Sequence, residues 1–284
     1  MEKYKKLINP QNTIELVKKN EFTFKKRFGQ NFLIDEHVLN KIMDGAEITK
    51  EDSVLEIGPG IGTMTQALCE RAGDVTAVEI DRDLIPILNE TLSPFDNVKV
   101  INEDVLKLDL NSISDKPLKV VANLPYYITT PIVMELFESG AKLESVTVMV
   151  QKEVADRMQA IPGGKDYGAL SLAVQYYAEA KVIANVPPNC FIPRPGVGSA
   201  VINLKCHKIK PVCPKNEEHM FRLIKAAFAQ RRKTLLNALK NESSLGLSKE
   251  RIQEVFSELG MDERIRGEKL SLADFAALSD KILK

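Results

Sequence analysis

One run of ten residues narrows the folds open to this chain more than any other. Ser53-Val54-Leu55-Glu56-Ile57 leads straight into Gly58-Pro59-Gly60-Ile61-Gly62. A short, mostly apolar run that stops at turn formers reads as a buried strand. The alternate glycines let the backbone pass close to another group, because no Cβ stands in the way. From Thr63 to Arg71 the apolar residues Met64, Ala67 and Leu68 return at helical spacing. Asp74 to Asp81 reads as a second strand, ending in acids.

Strand, glycine turn, helix and strand open a Rossmann-like α/β unit. Glu79 stands 17 positions after Gly62, close to the roughly 20 expected of a ribose-binding carboxylate. Dinucleotides and S-adenosylmethionine both use this architecture, so the turn has to discriminate between them. Its glycines run Gly58-x-Gly60-x-Gly62, without the longer spacing that cradles a pyrophosphate. Pro59 removes an amide donor that a phosphate needs, and Glu56 sets an acid just before the turn. A cationic sulfonium cofactor, S-adenosylmethionine, fits these residues better than NAD.

Asn97 to Val105 reads as a third strand and its exit. There Asp104 is placed to accept from an adenine amino group, with Val105 as an apolar wall. The fourth strand, Val120-Val121-Ala122, runs into Asn123-Leu124-Pro125-Tyr126-Tyr127. Asn123 falls at a strand's carboxyl end, where open α/β sheets bind ligands, and Pro125 stiffens the turn that carries Tyr126. An amide acceptor beside a flat ring suits a planar base with an exocyclic amine. The tetrapeptide resembles the Asn-Pro-Pro-Tyr type of motif in methyltransferases that act on adenine. A helix over 130–137, a strand over 143–150 and a helix over 151–159 follow. A flexible loop over 162–168 is placed to touch RNA, and 180–186 and 199–204 read as a closing antiparallel pair. Four prolines and two glycines between Pro187 and Gly198 argue against regular structure there. Phe191 in that loop either closes over a base opposite Tyr126 or plugs the loop into the core.

Residues 1–21 read as an extension, helical at most. Phe22, Phe24 and Phe28 interleave with Lys25, Lys26 and Arg27. Such a loop serves either as a base-stacking, phosphate-binding surface or as a staple into the helix that starts near Asp35. After Lys205 strands give way to helical patterns over 217–240, 248–259 and 271–283, with Arg231, Arg232 and Lys233 on the first. Overall charge is zero, yet residues 1–30 carry eight Lys/Arg against three Glu, and Lys205–Lys240 ten against two. These basic stretches form either a phosphate-tracking rim or two solvated faces. Four cysteines without paired spacing and no secretion signal point to a reducing cytoplasm. Cys206, His207, Cys213 and His219 lack a zinc-knuckle spacing, so no metal is expected. No apolar stretch is long enough to cross a membrane.

Taken in order, the motifs GQNFL, EIGPGIG, VEID, EDVLK, NLPYYITTP, FIPRPGVGS and AFAQRRKTL resemble those of the KsgA/RsmA/Dim1 family of rRNA adenine N6-dimethyltransferases. The resemblance runs from about Phe24 to Asn237. It implies a class I S-adenosylmethionine-dependent methyltransferase, Rossmann-like, with a mostly parallel seven-stranded sheet and a small C-terminal all-helical domain. It further implies dimethylation of two adjacent adenines in the 3′-terminal hairpin of 16S rRNA. The partner is then the small (30S) subunit or its precursor, with a role in its biogenesis. Family cofactor positions fall on Asn31, Leu33, Gly58, Glu79, Asp104 and Asn123, and Gln30, Gly60, Ile80 and Val105 complete the candidate set. The catalytic candidates are Asn123, Leu124, Pro125, Tyr126 and Phe191. The RNA-binding candidates are Lys25, Lys26, Arg27, Arg231, Arg232 and Lys233. Three divisions are expected: an extension and RNA-contacting loop over 1–30, the methyltransferase domain over 31–206, and a helical RNA-binding domain over 207–284. A monomer is expected. The alternatives are an Erm-type 23S rRNA methyltransferase, a non-catalytic assembly factor and, last, a dinucleotide-dependent oxidoreductase.

Overall fold

The computed structural model describes residues 4–25 and 28–283. Helix α1 (Pro10–Lys19) starts from an Asn9 cap and a first-turn proline. Strand β1 (Phe32–Leu33) precedes α2 (Glu36–Gly45), capped by the Asp35 side chain on the Val38 N–H at 3.0 Å. The alternation expected from the glycine turn follows. It runs β2 (Ser53–Ile57), α3 (Thr63–Arg71), β3 (Asp74–Glu79), α4 (Ile85–Thr91), β4 (Val98–Asn102), β5 (Leu118–Asn123), α5 (Thr129–Glu138) and β6 (Leu143–Gln151). Next come α6 (Lys152–Met158), α7 (Ala169–Tyr177), β7 (Ala178–Val186), β8 (Phe191–Ile192) and β9 (Ser199–Cys206).

Seven strands form one sheet in the order β4-β3-β2-β5-β6-β9-β7. β2 pairs in parallel with both β3 and β5, and β9 is antiparallel to β6. Every residue of β2 is buried, as expected of a strand covered on both faces. The chain moves outward from β2 to β4 and then returns to lay β5 on the other side of β2. That reversal opens a crevice at the carboxyl ends of β2 and β5. Lys119, the buried second residue of β5, keeps its charge against burial through the Asp52 carboxylate at 2.9 Å, and it also donates to the Glu47 carbonyl at 2.7 Å.

Described residues up to Ala155, with Lys181–Cys206, form one compact unit; Asp156–Ala180 and the residues from His207 onward form a second. Two of the expected boundaries change. The first thirty residues do not stand apart: Leu7 and Leu16 bury with Leu84, Ile87 and Leu88, so the extension is part of the first core. Residues 156–180 leave the methyltransferase domain, because Tyr167, Leu172 and Tyr176 bury among the C-terminal helices.

That second unit holds α7 with α8 (Glu217–Ala229), α9 (Leu235–Asn241), α10 (Lys249–Leu259) and α11 (Leu272–Ile282). The helix expected over 217–240 is broken. Gln230 leaves helical geometry, and Thr234 starts α9 by accepting from the Asn237 N–H. Arg231, Arg232 and Lys233 therefore lie on a turn between α8 and α9, not on a helix. The 162–168 loop is also anchored rather than loose. The buried Tyr167 hydroxyl donates to the Leu270 carbonyl at 2.8 Å, and the Gly163 N–H donates to the Glu268 carbonyl at 2.7 Å. In the first unit, residues 187–198 are not wholly irregular. β8 pairs with β1, Phe191 opposite Leu33, because the prolines flank those two residues and leave their N–H groups intact.

Gly73, at the entry to β3, tests how tightly this first unit is packed. A Cβ there would stand 2.4 Å from the Lys50 carbonyl oxygen, a backbone atom with little room to move. Gly73→Ala is expected to cost about 1–3 kcal/mol, read as a lower urea midpoint. An unchanged midpoint would contradict this packing.

Candidate active site

Five segments of the first unit converge on the crevice: Phe28–Leu33, the turn after β2, Glu79 at the end of β3, Glu103–Val105 and Asn123–Ile128. The cleft they line takes in about 1140 Å³ with its open mouth included. Gly60 takes φ +62, and a Cβ on it would meet the Phe32 ring at 2.9 Å, so a glycine is what lets β1 close under the turn. At Gly58 (φ +69) a Cβ would meet no atom within 4 Å, which leaves open space beside the backbone.

Four acids, Glu56, Glu79, Glu103 and Asp104, and no Lys or Arg stand among the described lining residues. Glu79 is 5% exposed; its carboxylate accepts the Asp81 N–H at 2.8 Å and the Gly60 N–H at 3.2 Å. Burial still outweighs those donors and pushes it up to about 7. Burial also works to raise Asp81, but the Lys25 ammonium at 2.6 Å and the Gln30 amide at 2.8 Å hold that carboxyl below its usual range. Asp104 turns its carboxylate to the Leu106 N–H at 3.1 Å at the exit of β4. Glu56 has no exposed surface, and neither of its oxygens has a hydrogen-bond partner. Burial pushes it up to about 8; the nearby Thr65 hydroxyl, itself buried without a formed hydrogen bond, acts against that, and the Glu79 charge adds to it.

The end of β5 is held differently. The Asn123 amide nitrogen donates to the Asn31 carbonyl at 2.9 Å. A carbonyl only accepts, so the NH₂ end is committed there and the amide oxygen is the free acceptor. Leu124 is buried and donates its N–H to the Met149 carbonyl at 3.1 Å. The Tyr126 hydroxyl is paired with the Ser199 hydroxyl at 2.7 Å, which tethers the ring. Tyr127 beside it is 62% exposed at the rim.

Over residues 21–284 the chain matches the model of the ribosomal RNA adenine dimethylase family. It belongs to that family. A relative from Lachnoclostridium phytofermentans, named ribosomal RNA small subunit methyltransferase A, is 62% identical over 96% of this chain and 97% of its own. One of the same name from Clostridioides difficile is 51% identical over 95% and 94%. Among solved structures, a dimethyladenosine transferase from Plasmodium falciparum superposes with a TM-score of 0.75 at 26% identity, covering 87% of this chain and 95% of that one. The 23S rRNA methyltransferase ErmE gives 0.69 at 26% identity, covering 89% and 100%. The sheet is accordingly the Rossmann-like methyltransferase sheet.

All ten cofactor candidates of this family member line one cleft: Gln30, Asn31, Leu33, Gly58, Gly60, Glu79, Ile80, Asp104, Val105 and Asn123. Leu124, Pro125 and Tyr126 join them, but Phe191 does not. It is 3% exposed and packs in the core with Leu33, Val38 and Val201, so its place is that of an anchor rather than a ring over a base. Two of the three interleaved phenylalanines, Phe22 and Phe24, resolve the same way, whereas Phe28 lines the cleft. Phe22, Phe24 and Phe32 pack edge-on or tilted to one another at centroid separations of 5.2–6.0 Å, against Ile61, Leu84 and Leu88. Of the RNA candidates, Lys26 and Arg27 lie outside the described residues. The Lys25 ammonium is engaged by Asp81 and Asp83, and Arg231 donates to the Lys165 carbonyl at 2.7 Å. Arg232 and Lys233 are exposed on their turn. Sequence reasoning missed Phe28, Gly29, Thr63, Met64, Tyr127 and Met149 as cleft residues. Phe28 and Gly29, beside Gln30, and Tyr127, beside Tyr126, carried a local signal; the others did not.

The unpartnered Glu56 has a measurable signature. Its folded form holds a proton that the unfolded chain, with an ordinary value of 4.5, gives up. Its contribution to stability therefore falls as pH rises from about 5 to about 8, and Glu56→Gln removes that share of the slope while leaving the share of Glu79. Between pH 5 and 8 the variant is expected to gain on the order of 3 kcal/mol relative to wild type, by urea unfolding. Parallel profiles for the two proteins would contradict an uncharged Glu56.

Proposed function

We propose that this protein transfers methyl groups from S-adenosylmethionine to the N6 atoms of two adjacent adenines in the 3′-terminal hairpin of 16S rRNA, within the small subunit or its precursor. The observation that carries the reading is the committed amide of Asn123. The residues present fit an adenosyl cofactor. Glu79 and Asp104 offer carboxylate acceptors from neighbouring strand ends, Gly58 leaves open space, and the turn supplies no phosphate cradle. Glu79 would take the ribose hydroxyls, and Asp104 with Val105 the adenine end. When bound, S-adenosylmethionine supplies an electrophilic methyl group on a sulfonium centre.

The chain's own task is to make a poor nucleophile attack. The exocyclic nitrogen of adenine shares its lone pair with the ring. In this reading the Asn123 amide oxygen and the Leu124 carbonyl accept its two N–H bonds, which favours a pyramidal nitrogen with a localised lone pair. Both contacts strengthen as positive charge develops on that nitrogen, so they act on the transition state more than on the ground state. Tyr126, tethered through Ser199, stacks the extruded base and holds the approach in line. The proton of the cationic product leaves to water. The second transfer keeps one N–H contact and needs room for the first methyl.

The helical unit would bind rRNA, with Arg232 and Lys233 meeting phosphate. A monomeric, cytoplasmic enzyme with a part in subunit biogenesis completes the proposal; among the described residues no helix is long and apolar enough to cross a membrane. The structural likeness to ErmE favours a second reading, methylation of 23S rRNA. The 62% identity to a small-subunit enzyme supports the first.

Asn123→Ala is expected to slow tritiated methyl transfer to unmodified 30S subunits by about 10²–10³-fold; turnover near wild type would remove Asn123 from the chemistry. Methylated 50S rather than 30S subunits would select the second reading. Replacing Arg232 and Lys233 with Gln is expected to flatten the salt dependence of RNA binding by about two phosphate contacts, and an unchanged slope would exclude the turn.

A further inference from the structure

Tyr126 is held at both ends, and the second hold comes from a distant part of the chain. Its backbone sits in the corner after β5, where the Ile128 N–H and the Thr129 hydroxyl both donate to the Pro125 carbonyl at 3.2 Å. Its phenol meets the Ser199 hydroxyl at 2.7 Å, 73 residues further on. Ser199 is 2% exposed and opens β9, opposite Gln151 on β6. Beside it the Lys152 N–H donates to the Gly198 carbonyl at 3.1 Å, so the backbone that carries Ser199 is fixed. Ser199 is not among the described residues that line the cleft, so it reaches the chemistry only through Tyr126. A buried hydroxyl is costly without a partner, and the partner Ser199 has is the ring of the active corner. That ring turns about two side-chain torsions; with its far end pinned, it keeps one setting.

The two transfers to one adenine do not ask the same of that ring. In each, the N6 lone pair forms a bond to the methyl carbon while the bond from that carbon to sulfur breaks. The electron pair of the broken bond stays on sulfur, and one N6 proton goes to water. At the first transfer N6 brings two N–H bonds, and the Asn123 oxygen and the Leu124 carbonyl can hold both. At the second, a methyl stands in place of one hydrogen, so one of those contacts is gone. The stacked ring then carries a larger share of the alignment. Resting on the adenine-methylation reading above, we infer that Ser199 is a positioning residue for the second transfer. By pinning the Tyr126 ring, it sets how far each adenine is carried from the monomethyl to the dimethyl product.

The test uses the full chain and unmodified 30S subunits. After reaction the rRNA is digested, and N6-methyladenosine is separated from N6,N6-dimethyladenosine at equal total methyl transfer. Matching the total removes the amount of active enzyme from the comparison, so a variant that merely folds less well gives the wild-type ratio. Ser199→Ala is expected to raise the monomethyl-to-dimethyl ratio by about three- to tenfold, the worth of one hydrogen bond. Tyr126→Phe removes the same hydrogen bond from its other end and keeps the ring. It should raise the ratio to the same extent, and the double variant should raise it no further. If Ser199→Ala does not fold, Tyr126→Phe against wild type decides alone. A wild-type ratio in either folded variant would overturn the inference while leaving the methylation reading intact. Additive shifts in the double variant would also overturn it, because the two hydroxyls would then act separately. Failure of the wild type to methylate adenine in these subunits would overturn the reading itself, and this inference with it.

Discussion

The hydrogen bond from the Asn123 amide nitrogen to the Asn31 carbonyl joins parts of the chain 92 residues apart, and the rest of the site leans on it. Asn123 is the last residue of a central parallel strand, so its backbone is fixed by the sheet. Asn31 sits in the loop that enters β1, whose backbone is fixed by pairing with β8. Between them the amide has one orientation, set by the fact that a carbonyl cannot donate. An unanchored amide would offer either end to a base, and only the oxygen end suits an exocyclic amine. The same segment carries Phe32 beneath Gly60, so the glycine turn and the Asn123 amide are held by one stretch of chain.

The acids of the cleft show what this arrangement costs. Glu56 and Glu79 are both buried and both pushed upward, one without partners and one with two backbone donors. In a core chosen for stability alone, an apolar residue at position 56 would pack better. Such breaches of local packing rules cluster at functional sites. Asp81 stands in contrast: equally hidden, it has its charge met by Lys25 while Gln30 donates a second hydrogen bond, and it ties the N-terminal loop to the strand that presents Glu79.

Much of this was legible in the residues. The glycine turn, the acid at position 79 and the Asn-Leu-Pro-Tyr corner carry local chemistry, and the first two helices and the central strands follow from period and caps. What stayed hidden depends on partners distant in the chain. Phe191 reads equally well as a lid or an anchor until β8 is seen to pair with β1. Lys25 reads as a free cation until Asp81 and Asp83 are seen to hold it. Residues 156–180 carry no composition change, yet Tyr167 and Tyr176 commit them to the helical unit. The basic run at 231–233 looked helical by continuity with α8, and only the Thr234 cap reveals the turn. Glu56 was visible as an acid before the turn, but its lack of any partner was not.

The central claim is that a fixed amide oxygen, not an amide N–H or a general base, receives the target amine. A crystal structure of the enzyme with S-adenosylhomocysteine and a short single-stranded RNA containing the target adenines tests it directly. The account predicts the adenine N6 within hydrogen-bond distance of the Asn123 oxygen and the Leu124 carbonyl, with the Asn123 nitrogen still on the Asn31 carbonyl. An N6 seated against a carboxylate of Glu56, Glu79 or Asp104, or an Asn123 amide turned away from Asn31, would contradict it.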